Sequence, residues 1–83
     1  MSKKVILGVQ ISNRVKNVAR VQKILTEHGC NIKTRLGLHE VGDPTCSPSG
    51  LLILETFGRP AEILALEKKL KRVPGLKVKK MVF

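Results

Sequence analysis

The chain has no tryptophan and no tyrosine, and two phenylalanines, Phe57 and Phe83, are its whole aromatic content. Modules that read single-stranded bases stack them on aromatic side chains, so that mode of recognition is not expected. Two cysteines, Cys30 and Cys46, are too few for a disulfide framework, and without a CxxC pair they suggest neither a zinc ribbon nor a thiol redox site. No stretch approaches the roughly 20 apolar residues that span a bilayer. Met1-Ser2-Lys3-Lys4 leads into a short apolar run with no small-residue cleavage site, so a soluble, cytoplasmic protein is expected. Acidic residues are scarce: six Asp and Glu stand against sixteen Lys and Arg, a formal net charge of +10. There is no paired-carboxylate motif, nucleophile elbow or glycine-rich phosphate loop, and a non-enzymatic role is expected.

What is present fits one small domain spanning residues 1–83, near the lower size limit for a self-sufficient core. Apolar residues make up 42% of the chain, enough to pack, and the charged residues are interspersed rather than gathered in a tail.

Val5, Leu7, Val9 and Ile11 alternate against Ile6, Gly8 and Gln10, the period of a half-buried strand. Ser12-Asn13 offers capping side chains for a helix from Val15 to His28, with Val15, Val18, Val21 and Leu25 at helical spacing and Gly29 as its stop. From Cys30 a second strand alternates to His39. It puts Cys30, Ile32, Thr34, Leu36 and Leu38 on one side and Lys33, Arg35 and Gly37 on the other. Residues 42–50 are turn formers with two prolines and read as a loop.

Leu51 to Phe57 is a third strand, apolar on both faces. Gly58-Arg59-Pro60 opens a second helix with Ile63, Leu66, Leu70 and Val73 as its buried stripe, and Pro74-Gly75 stops it. Leu76 to Phe83 is the fourth strand. The order β-α-β-β-α-β, with right-handed crossovers, predicts the ferredoxin-like α+β fold: a four-stranded antiparallel sheet with two helices on one face.

Three sets of residues are candidates for function. Gln10, Lys33, Arg35, Lys77 and Lys79 fall on the sheet face away from the helices, a basic surface that could meet a phosphate backbone but reads first as a solvated face or one covered by another subunit. His39 at the end of strand two and Cys46 in the following loop, with His28 at the end of helix one, offer imidazole and thiolate donors of the kind that bind nickel, copper or zinc. Against this, Cys30 reads as a core residue, Cys46 as a loop thiol and His28 as a helix-terminal cation. Asn13 and Arg14 at the start of helix one can hold a small anion or simply cap the helix. The doubly apolar third strand predicts a homo-oligomer, since a sheet face bearing Leu52 and Leu54 would otherwise be an exposed patch.

Ile6 to Ile11 followed by Ser12-Asn13-Arg14, the stretch Arg35-Leu36-Gly37-Leu38, and Leu70 to Val78, which reads LKRVPGLKV, together resemble the small stand-alone ACT-like regulators of the iron-only hydrogenase system. That family usually has a shorter segment with Pro-Tyr after the second of these motifs, where this chain has His39-Glu40 and a longer loop with Cys46. Leu36-Gly37-Leu38-His39 and Cys46 are more distantly similar to the metal-bearing strand and loop cysteine in the C-terminal domain of nickel-responsive repressors, with Gly37 in place of the first histidine. The resemblances imply an ACT-like regulatory module that forms dimers or tetramers. They further imply a small ligand near Asn13 and Arg14, and a nickel or zinc ion at His39, Cys46 and His28.

Overall fold

Alternation of apolar residues along Val5–Ile11 makes the first strand, β1, the middle of the molecule: Leu7 and Val9 are fully buried on one face. The structure is a computed structural model that describes residues 4–11, 14–38 and 50–83, with the side chains of 14–18 and 38 excluded. After β1 come helix α1 (Arg14–Glu27), a single 3₁₀ turn (Gly29–Asn31), β2 (Ile32–Leu38), β3 (Gly50–Thr56), α2 (Pro60–Lys71) and β4 (Leu76–Val82). The strands form one sheet in the order β2-β3-β1-β4, every pairing antiparallel. This is the ferredoxin-like arrangement that the element order predicts.

The core lies between the sheet and the helices. Leu7, Val9, Leu52 and Leu54 meet Val21 and Leu25 of α1 and Leu66 and Leu70 of α2, with Val78, Leu76, Ile11 and Val5 partly buried around them. Each fully buried leucine contributes about 1.5–3 kcal/mol relative to exposure. The stripe Ile63, Leu66, Leu70 and Val73 is buried as its spacing predicts. Leu52 and Leu54 correct the expectation about the third strand: they fill this core, and Leu51 and Ile53 are the apolar pair left on the other face.

Strand β2 departs from simple alternation. Ile32 lies opposite Thr56, yet Thr34 lies opposite Glu55, so Lys33 is the extra residue of a β-bulge. A one-residue insertion sends every later side chain to the other face. Ile32 therefore packs on the core, while Thr34 and Leu36 turn outward and Arg35 and Gly37 share the helix side. Arg35 confirms it by donating from Nη2 to Gln22 Oε1 on α1 at 3.1 Å. Cys30 is also corrected: it lies in the 3₁₀ turn before β2 and is exposed.

A buried asparagine closes the end of the sheet nearest this turn. Asn31 Nδ2 donates to Phe57 O at 3.2 Å and Glu62 Oε2 at 3.1 Å, and Asn31 O accepts from Phe57 N at 3.0 Å. Gly58 runs past it at φ 110°, where a side-chain Cβ would stand 2.6 Å from Asn31 Nδ2. Both the backbone angle and the space require glycine there.

Candidate functional site

The sheet face turned away from the helices is not covered by any described element. Its rows follow from the register. Leu51, Gln10 and Lys77 form one; Leu36, Ile53, Gly8 and Lys79 the next; Thr34, Glu55, Ile6 and Met81 the third. Leu36 is 53% exposed, Met81 55% and Leu51 40%, with Ile6 and Ile53 half-buried between them. Phe83, 71% exposed, follows β4 and ties its N–H to Lys4 O at 2.9 Å. At the centre, Gly8 presents bare backbone: a Cβ there would meet only the Lys79 carbonyl oxygen, at 3.9 Å.

One corner of the face is polar and internally satisfied. Glu55 accepts from Thr34 Oγ1 at 3.1 Å and pairs with Lys4 Nζ at 3.3 Å. These bonds, with the charge of Lys33 adding to them, hold its carboxyl below the ordinary value. The other described carboxylates are engaged as well. Glu27 pairs with Lys69, Glu62 with Arg59, and Glu67 with both Lys71 and Lys80. Glu67 is buried, and its Lys71 hydrogen bond at 2.9 Å outweighs desolvation and keeps the carboxyl low. On β4 the lysines are thus divided by face: Lys80 reaches Glu67 on the helix side, while Lys77 and Lys79 stand on the open side with no ion pair to a described residue.

The predicted basic patch is therefore only partly assembled. Lys77 and Lys79 share the open face with Gln10, and Lys33 sits at the bulge near Glu55. Arg35 does not join them, because the bulge turns it toward α1. A continuous four-cation track for a phosphate backbone is not formed. The middle of the face is apolar instead, a feature whose sequence signal is the doubly apolar third strand.

His28 follows the last residue of α1 and is half-buried; its Nε2 is sealed from water with no hydrogen-bond partner among the described residues. Among the described residues no cluster of three or more His, Cys, Asp and Glu is arranged to hold a metal ion. His39, Cys46 and Asn13 lie outside the described residues, and Arg14 is described only as the first residue of α1. No helix among the described residues is long and apolar enough to cross a membrane.

No family model and no curated protein matches the chain. Solved structures do. An uncharacterized protein from Thermotoga maritima is 23% identical over 99% of both chains, with a TM-score of 0.84. CPII of Thiomonas intermedia, a nitrogen regulatory PII-like protein bound to ADP, AMP and bicarbonate, is 11% identical and covers 99% of this chain and 93% of its own, with a TM-score of 0.58. A dimeric ferredoxin-like protein from an uncultured marine organism is 13% identical, covering 98% of this chain and 92% of its own, with a TM-score of 0.52. At these identities the likeness establishes the fold.

Proposed function

We propose that this chain is a non-enzymatic regulatory or sensor module that self-associates, as a dimer or tetramer, through the open face of its sheet and binds a small ligand between copies. The carrying observation is the apolar centre of that face, where Leu36, Leu51, Ile53, Ile6 and Met81 surround the bare backbone of Gly8. Glycine inside a strand marks a place where another backbone or a ligand approaches closely. Removing such a patch from water favours association. The same fold is used by the nitrogen regulatory CPII, whose structure holds nucleotides, and by a ferredoxin-like dimer, which supports a ligand-sensing, oligomeric role here. The resemblance to ACT-like regulators points the same way.

Light scattering over a micromolar concentration series tests the reading. A mass that rises with concentration supports it; a monomer mass throughout, in chloride and in phosphate buffers alike, overturns it.

A nickel or zinc ion is the second ligand reading, favoured by the sealed Nε2 of His28, which has no partner among the described residues. An imidazole nitrogen free of hydrogen bonds is available as a donor. His28 precedes β2 and His39 follows its far end, about 20 Å away, so His39 and Cys46 would complete the set only from a second copy of the chain. Metal titration of wild type against His28→Ala and Cys46→Ser decides it: equal binding by all three removes the site.

A further inference from the structure

The open face poses an electrostatic problem for a second copy of the chain. Seven residues at about 3.3 Å and four strands at about 4.8 Å give a face of roughly 23 by 19 Å, small for a stable interface. Association through it is weak enough that its charges decide the outcome. Lys77 and Lys79 bring two ammonium groups per copy to this face, and the chain carries +10 overall.

A two-fold axis lying in the interface places β4 either across the partner's β4 or across the partner's β2. Across β4, lysine meets lysine. Across β2, an axis along the strands keeps each row at its own level, so Lys79 falls on the partner's Leu36 and loses water with no opposite charge beside it. The one described carboxylate on the face, Glu55, is already held by Lys4 and Thr34, and Glu27, Glu62 and Glu67 are paired within their own chain. Packed sheets lie about 10 Å apart, close to the screening length of physiological salt, and closing the face removes the water between them. With β4 across β4, repulsion among the four ammoniums opposes closure unless a multivalent anion enters, whereas across β2 the lysines lose water against apolar side chains.

We infer that self-association of this protein sets β4 against the partner's β4 and is coupled to uptake of a polyanion, a compound with several phosphate or carboxylate groups, held by Lys77 and Lys79 of the two copies at that margin of the shared sheet face. This rests on the self-association proposed above and names its ligand class. The anion bridges cations that no described carboxylate on the face neutralises, and apolar contact around Gly8 supplies the remaining affinity. By linkage, the anion tightens assembly and assembly tightens anion binding by the same factor.

The test is sedimentation equilibrium of the full chain with inorganic triphosphate as the probe, compared with sodium chloride at equal ionic strength. Wild type is expected to associate at least tenfold more tightly in triphosphate. A Lys77→Gln, Lys79→Gln double variant is expected to associate in chloride at least as tightly as wild type and not to respond to triphosphate. Association of wild type that is the same in both salts, or a double variant that responds as wild type does, overturns the polyanion coupling and leaves self-association standing. Monomers under every condition, in both proteins, overturn both.

Discussion

Arg35 Nη2 and Gln22 Oε1 meet at 3.1 Å, joining β2 to α1 on the helix side of the sheet. Simple alternation from Ile32 would put that guanidinium on the opposite face, and the bulge at Lys33 is what moved it. Because the bond is exposed, Arg35→Ala should cost only about 0–1 kcal/mol in urea unfolding. It should also leave the response of self-association to triphosphate unchanged. A loss of that response would place Arg35 back on the working surface.

Leu36 and Met81 stand on opposite edge strands of the open face, and each is more than half exposed. Converting both to lysine, Leu36→Lys with Met81→Lys, should abolish self-association by light scattering while the urea midpoint shifts by no more than about 1 kcal/mol. Unchanged association in the folded double variant would mean that copies meet elsewhere.

Gly8 has room for a methyl group, so Gly8→Ala should stabilise the monomer by about 0.4–1 kcal/mol through a less flexible unfolded chain. In the assembly the same methyl intrudes between facing sheets. The thermal midpoint at low concentration should rise while self-association weakens, and a variant that associates better than wild type would contradict close approach at this point.

Gly58 is the opposite case. At φ 110°, with Asn31 Nδ2 in the way of any Cβ, Gly58→Ala should lose about 1–3 kcal/mol in urea unfolding. Asn31→Ala, which drops the bonds to Phe57 and Glu62, should lose about 1–2 kcal/mol. An unaltered midpoint for Gly58→Ala would show that the asparagine yields at little cost.

Glu67 sets an acid limit on stability. Its hydrogen bond from Lys71, with that from Lys80, lowers its folded value below the ordinary 4.5, so it stabilises the fold above that pH. The contribution is lost as the pH falls through the lowered value. The melting temperature should therefore drop on acidification below pH 4.5. Glu67→Gln should melt with a shallower acid dependence and be less stable at neutral pH by about 1–2 kcal/mol, since both lysines are half in water. Identical acid profiles would remove Glu67 from that role.

Much of the fold was legible in the chain because local periodicity and burial agree. Leu7 and Val9 alternate into the core, Ile63, Leu66 and Leu70 recur at helical spacing, and Pro60 opens α2. Leu76 and Val78 face inward while Lys77 and Lys79 face out, as the pattern of β4 predicts. The candidate site was less legible. Both faces of β3 are apolar, so its sequence could not say which pair is core, and tertiary contact with α1 and α2 chose Leu52 and Leu54.

By itself, then, the sequence determined the element order, the helix stripes, the excess of positive charge and the absence of stacking aromatics, all properties of near neighbours along the chain. Tertiary structure decided what depends on pairing between distant segments. The one-residue bulge against β3 sent Leu36 outward and Arg35 inward. Pairing across the fold gave Glu67 to Lys80 and left Lys77 and Lys79 without a described carboxylate. Strand register has a period of two, so one inserted residue reverses every side chain beyond it, and only the partner strand records where that insertion falls.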